Sequence, residues 1–328
     1  MRTADSLPRL DFQSVLEDIA TEIGRSLHDA TAGRTGQVAS YIPALARVPA
    51  GQFGIALRTC DGTEFCAGDA ATPFSIQSVS KLFTLTSAMQ HMGEELWERI
   101  GREPSGNPFN SLVQLENEQG KPRNPFINAG AIAVADRLVS RAHSSDDGTE
   151  AVDACRDILA LMSDLAGEPV AFDEEVAASE AATGFRNVAL ANFMKSFGKI
   201  DNDVAAVLDL YFHQCAIRMS CIQLARAANF LCRDGAHPFA GRPAVVTDRQ
   251  TRRINALMLT CGTYDAAGDV AFSIGLPCKS GVGGGIVAVV PDRLTLCVWS
   301  PGLDASGNSL LGMEALGMFG AKTGLSVF

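Results

Sequence analysis

The sequence has no basic cluster, no Cys-x-x-Cys pair, no grouped histidines and no long apolar run. Its 27 Lys and Arg against 37 Asp and Glu give a formal charge of −10, which makes nucleic acid and anionic membrane poor partners. No apolar stretch approaches the roughly 20 residues of a membrane helix; Gly285–Val290 has the length of a strand. Residues Met1–Gln13 show no secretory h-region, so a soluble, cytoplasmic protein is expected. The nine cysteines (Cys60, Cys66, Cys155, Cys215, Cys221, Cys232, Cys261, Cys278 and Cys297) are scattered, which fits reduced, buried thiols better than a disulfide framework or a zinc site. His28, His91, His143, His213 and His237 lie far apart without H-E-x-x-H or H-x-E spacing, so no metal is expected.

What is present is a 328-residue chain, 47% hydrophobic and 20% charged, long enough for one large domain or two lobes. Phe12, Val15, Leu16, Ile19, Ile23 and Leu27 recur at helical spacing and predict an N-terminal amphipathic helix. A Gly-rich break at Ala32–Gly36 follows. Strands are expected over Phe53–Thr59 and Glu64–Ala67, joined through Asp61-Gly62, a strong hairpin signal. A helix carrying Ser78 and Lys81 should run to about Met92 and stop at Gly93. The pattern is mostly helical to about Arg233, with Ala142–Glu150 read as an exposed polar loop.

The last third predicts strands over Val270–Ile274, Gly285–Val290 and Leu294–Trp299, turns at Gly281–Gly284 and Pro291-Asp292, and a helix over Ser309–Phe319. Strands at both ends with helices between imply one sheet built from residues 1–80 and 235–328, beside a helical lobe of 81–234. Both parts form a single catalytic unit with a pocket at their junction, where Ser78 would sit. The apolar C-terminal helix could be buried by oligomer contacts or by its own sheet.

Within Phe74-Ser75-Ile76-Gln77-Ser78-Val79-Ser80-Lys81 a serine and a lysine stand three residues apart at the start of an apolar helix. The spacing puts both on one face, so a neutral lysine can take the serine proton. Burial and the positive helix end both disfavour the ammonium, as such a base requires. S-x-x-K alone also fits an ordinary helix with a polar turn. Gly281-Val282-Gly283-Gly284-Gly285 lacks the G-K-[ST] ending of a nucleotide loop and precedes a strand, so nucleotide binding is not expected. A glycine turn of this kind can bring a backbone N–H close to a ligand, as an oxyanion hole needs.

Further polar groups stand in apolar or tightly turned settings: Tyr41 in Ser40–Ala46, Asn128 in Asn124–Ile132, Glu180 and Asn187 in Ser179–Asn187, Tyr211 in Leu208–Phe212 and Tyr264 in Cys261–Asp265. With Gln77–Lys81, Glu103-Pro104-Ser105-Gly106 and Lys279–Gly285, these segments resemble the serine-dependent glutaminases, from about Val38 to Ser309. The resemblance implies an α/β (α+β) fold of the serine β-lactamase/transpeptidase kind, with an antiparallel sheet flanked by helices plus a mostly helical lobe. It implies that Ser78 is the acyl-forming nucleophile, Lys81 its base, and the backbone N–H groups of Ser78 and Val282 the oxyanion donors. Asn128, Glu180, Asn187, Tyr211 and Tyr264 match the substrate positions, and Tyr41 lines the pocket. Tyr264 or Tyr41 relays the proton to departing ammonia. The chain has only three tyrosines, and all fall at these positions. The implied substrate is L-glutamine, no cofactor is needed, and a homo-oligomer, a homotetramer or dimer, is favoured.

The chemistry agrees with this resemblance. A buried carboxylate such as Glu180 suits an α-ammonium, while Asn and Tyr donors suit an α-carboxylate. Each also has a plainer reading: Tyr211 as a core aromatic, Glu180 as a surface acid, Asn128 as a helix cap. Lys279 is either a pocket cation or a solvated strand residue, and Arg186 is read as a cap or surface partner outside the site. The loop Ala181–Phe185 varies in the family, and no Ser-Asp-Asn element of the β-lactamases occurs. Competing readings are a serine esterase or β-lactamase-like hydrolase on the same Ser78 and Lys81, and a glutamine-binding module without turnover.

Overall fold

An amphipathic stripe at i, i+3 and i+7 makes the first helix: α1 (Phe12–His28) buries Leu16, Ile19 and Ile23 completely. A computed structural model describes residues 10–28, 35–142 and 150–328. Residues 143–149 of the loop expected over Ala142–Glu150, and residues 32–34 of the Gly-rich break at Ala32–Gly36, lie outside the described residues.

Strands β1 (Gly54–Thr59) and β2 (Glu64–Gly68) form the expected hairpin, with Gly62 N–H donating to the Thr59 carbonyl at 3.0 Å. Between that hairpin and the C-terminal strands lie β3 (Phe74–Ser75), β4 (Ala171–Phe172) and β5 (Ile217–Met219). The C-terminal strands are β6 (Cys278–Ser280), β7 (Gly285–Val290) and β8 (Leu294–Trp299). Helices α2 (Ser80–Met92), α3 (Leu96–Arg99), α4 (Leu112–Asn117), α5 (Asn128–Ala142) and α6 (Glu150–Ala166) come next in the chain after β3. They are followed by α7 (Glu174–Thr183), α8 (Phe185–Ser196), α9 (Val204–Cys215) and α10 (Cys221–Ala227). The last are α11 (Asp248–Cys261), α12 (Ala267–Ser273) and α13 (Leu310–Thr323).

Five strands pair antiparallel in the order β2-β1-β8-β7-β6, so the N- and C-terminal segments share one sheet. Alternation along the strands divides its faces. Ile55, Leu57, Ile286, Leu296 and Val298 pack against α1 and α13. Ala56, Val287, Val289, Cys297 and Trp299 face the other way and are continuous with the core of the helices. The C-terminal helix therefore packs on its own sheet, with Leu311, Ala315, Leu316 and Phe319 fully buried. Each large side chain among them contributes about 1.5–3 kcal/mol.

One expectation needs correction. The strand expected at Val270–Ile274 is helix α12. In a strand Val270, Phe272 and Ile274 would share a face, but Phe272 is 94% exposed while Val270 and Ile274 are buried. The i, i+4 pair faces the core, and Ser273 Oγ donates to the Asp269 carbonyl one turn back. Within the mostly helical middle of the chain, β4 and β5 join β3 in a second, three-stranded sheet. Strands of two or three residues carry too little alternation to read, and partners far apart in sequence create them. This small sheet matters because β3 delivers the chain to Ser78, with Ile76 N–H bonded to the Ile217 carbonyl at 2.9 Å.

Candidate active site

Ser78 stands just ahead of the α-helix, in a 3₁₀ turn over Gln77–Val79 that leads into α2. Three residues per turn eclipse positions i and i+3, which keeps Ser78 and Lys81 on one face. Gln77 has φ of 48°, a left-handed conformation that is strained for a residue with a side chain. Bonds on both sides hold it there. Gln77 Nε2 donates to Ser75 Oγ at 3.1 Å, Ser75 Oγ donates to the Cys215 carbonyl at 2.8 Å, and Ser80 Oγ donates to the Gln77 carbonyl at 2.7 Å.

The glycine turn after β6 closes directly on this turn. A Cβ on Gly281 would lie 2.6 Å from the Ile76 carbonyl and 3.0 Å from Ser78 N, and one on Gly283 would collide with the Ser75 carbonyl. Glycine is required because two backbones touch. Val282, between them, lines the same cavity as Ser78.

Lys81 is 1% exposed. Its Nζ donates to Asn128 Oδ1 at 2.7 Å and to the Phe126 carbonyl at 3.3 Å. Burial lowers its pKa to about 8, against the opposing pull of Cys215 and Glu180. An ammonium offers only donors, so Asn128 must turn Oδ1 to it, leaving Nδ2 to donate to Asn187 Oδ1 at 2.9 Å. Asn128 is free for this because Asn124 takes the turn: its Oδ1 accepts from Phe126 N and Ile127 N at 3.0 and 3.1 Å.

Tyr264 is buried at φ of 59°, a second strained residue in this region. Burial raises its pKa, while hydrogen-bond contact with the Ser78 side chain opposes that rise. Its hydroxyl also donates to the Ser280 carbonyl at 3.4 Å. Lys279, fully buried, lies 5.0 Å from the Tyr264 ring centre and donates to the Ser280 and Gly262 carbonyls. Desolvation first and Lys81 second lower its pKa strongly. It is thus a buried interior lysine rather than a solvated strand residue, and it does not line the cavity that holds Ser78. Tyr41, by contrast, is 60% exposed at the rim.

Glu180 on α7 is 7% exposed, and among the described residues it has no ion-pair partner. Desolvation raises its pKa, moderated by a hydrogen bond from Gln77 and by Lys81. Tyr211 on α9 is 3% exposed, and burial raises its pKa as well.

Ser78, Tyr41, Asn128, Glu180, Asn187, Tyr211 and Val282 line one cavity of about 720 Å³. Lys81 and Tyr264 stand behind its wall. The cavity also takes in Gln77, Asn110, Arg186 and Cys215, which the sequence reading left out. Arg186 donates to Asn110 Oδ1 at 3.3 Å across the rim. Its neighbour Asn187 was the available signal, but a residue at a helix start reads first as a cap. A separate group, Cys155, Asp209 and His213, has donor atoms within 4.8 Å of one another and lies outside the cavity.

The geometry has close counterparts. The glutaminase family model matches residues 36–328. A glutaminase of Methylorubrum extorquens is 54% identical over 97% of this chain and 99% of its own. A structure of Mglu in its glutamate form is similar at a TM-score of 0.87 and 34% identity, over 98% of this chain and 70% of that one. A Bacillus glutaminase in the presence of 4.3 M NaCl gives a TM-score of 0.79 at 35% identity, over 93% and 99% of the two chains.

Proposed function

We propose, given that the chain belongs to the glutaminase family, that this glutaminase converts L-glutamine and water to L-glutamate and ammonia through a Ser78 acyl-enzyme with Lys81 as general base. The observation that carries this reading is one cavity holding the Ser78 turn and a buried Glu180 with no ion-pair partner among the described residues, backed by a lysine lowered to about 8. The antiparallel sheet flanked by helices agrees with the β-lactamase-like fold of the glutaminases.

In this mechanism neutral Lys81 accepts the Ser78 proton as Oγ attacks the amide carbon. The oxyanion is met by the N–H groups of Ser78 and Val282, a role supported by the glycine turn lying directly against the Ser78 turn. Val282 N–H has no backbone acceptor among the described residues and so is open to a ligand. Tyr264, in contact with Ser78, is better placed than the exposed Tyr41 to pass a proton to departing ammonia. Water then cleaves the γ-glutamyl ester. Glu180 receives the substrate ammonium, while Asn128, Asn187 and Tyr211 orient the rest. The related glutamate form of Mglu fits a pocket that takes this product.

The sheet part (1–80 with 235–328) and the helical part (81–234) are proposed to act as one catalytic unit, in a homo-oligomer. Among the described residues no helix is long and apolar enough to cross a membrane. The free thiols suit a reducing compartment, so a cytoplasmic site of action is proposed.

The test is ammonia release from L-glutamine by wild type and Ser78→Ala, with L-asparagine and a chromogenic ester in parallel. Glutamine-selective release that falls about 10³-fold or more in a folded variant supports the proposal. Ester turnover without glutamine turnover would make the protein a general serine hydrolase. Saturable glutamine binding without any turnover would make it a binding module.

A further inference from the structure

Cys60 and Cys232 are 172 positions apart in sequence, yet their sulfur atoms stand 3.2 Å apart. Cys60 closes β1 at the hairpin turn, and Cys232 ends the 3₁₀ turn Asn229–Cys232. Backbone bonds fix both ends: Cys60 N–H donates to the Arg293 carbonyl at 2.8 Å, and Asp292 N–H donates to the Cys232 carbonyl at 3.1 Å. Buried Asn229 ties the same three segments, its Nδ2 reaching the Arg58 and Thr59 carbonyls and Thr295 Oγ1 at 3.2–3.3 Å. The pair therefore meets because the fold holds it so.

The two thiols are unequal in the way a redox pair needs. Cys60 is partly exposed and Cys232 is buried. The hydrogen bond with Cys232 lowers the Cys60 pKa, and Arg233 adds to this against burial, Asp292 and Asp61. The same bond and desolvation raise that of Cys232. A second sulfur pair, Cys221 with Cys297, is fully buried on both sides, out of reach of an oxidant.

We propose that Cys60 and Cys232 form a redox-closable staple, oxidised by a hydroperoxide, that ties the β1–β2 turn to the segment before α11. The Cys60 thiolate attacks the peroxide, takes one oxygen to become a sulfenic acid, and with a proton releases water. Cys232 then attacks that sulfur, the S–S bond forms, and its proton leaves with the displaced hydroxide as a second water. Two thiols lose two electrons and one hydrogen peroxide gains them. The sulfurs close from 3.2 Å to about 2.05 Å by side-chain rotation at the partly exposed turn. Closing so long a loop restricts the unfolded chain, so the oxidised protein should unfold later.

The experiment treats the full-length protein with hydrogen peroxide, then maps peptides by mass spectrometry without reductant and measures Tm before and after dithiothreitol. Expected is a linked Cys60–Cys232 peptide and a Tm that rises and falls back on reduction. Cys60→Ser, at the exposed partner, folds and lacks both effects. All thiols remaining free, Cys60 reaching sulfinic acid unlinked, a Cys60–Cys66 link, or a linked protein whose Tm does not rise would overturn the staple.

Discussion

Lys81 Nζ and Asn128 Oδ1 meet at 2.7 Å in the interior, each held by a different helix, α2 and α5. That bond settles which way the amide faces, and the second bond, from Asn128 Nδ2 to Asn187, carries the orientation on to α8. Lys81, Asn128 and Asn187 are thus one connected unit. Disturbing one member should be felt at the others.

The titration of Lys81 should therefore appear in the kinetics. A base must be neutral, and its pKa is lowered to about 8, so kcat/KM should rise with pH through about 8 and fall again where the substrate loses its own ammonium. Asn128→Asp places a carboxylate where the amide oxygen now stands, favours the ammonium, and should move that inflection upward by roughly 1–3 pH units. Initial rates from pH 6 to 10 decide it; an unmoved inflection would show that Lys81 is not the titrating base.

The same shift bears on stability. With a folded value near 8 and an ordinary value of 10.5, the unfolded chain binds more protons between those limits. The contribution of Lys81 to stability is therefore present above 10.5 and lost as pH falls toward 8. Lys81→Met should flatten that rise and be at least as stable as wild type at pH 7. Urea midpoints at a series of pH values provide the comparison.

Glu180→Gln should raise KM for L-glutamine by roughly 10²-fold or more, because a buried ammonium without its partner costs about 3–5 kcal/mol. The variant should also be as stable as wild type or more so, since burial already raises the carboxylate pKa and a neutral side chain removes that penalty. An unchanged KM would mean that the ammonium is held elsewhere.

Tyr264→Phe and Tyr41→Phe should separate two roles. Loss of the Tyr264 hydroxyl, in contact with Ser78, should lower kcat by about 10²-fold or more with KM little changed. Loss of the Tyr41 hydroxyl, carried by a rim residue that is 60% exposed, should act mainly on KM. The reverse pattern would transfer the proton relay to Tyr41.

Gly281→Ala should cost about 10²-fold in kcat, because its Cβ would press on the Ile76 carbonyl and Ser78 N and displace the Ser78 turn. Full activity in this variant would argue against that turn positioning Ser78.

The amino-acid sequence by itself determined the elements with a sustained period or sharp punctuation. The stripe of α1, the Asp61-Gly62 hairpin, the β7–β8 pair and α13 are all written in neighbouring residues. It also marked Ser78 with Lys81, because their spacing is local. Only the tertiary structure decided what depends on distant partners. It made α12 of an apolar run that alternation reads as a strand, and built β3, β5 and β4 from segments up to 145 residues apart, the separation of the registered pair Phe74 and Met219. It buried Glu180, exposed Tyr41 and brought Cys60 to Cys232. Burial and its effect on a charge belong to the packed surroundings, and those surroundings come from the whole chain rather than from the residue's neighbours.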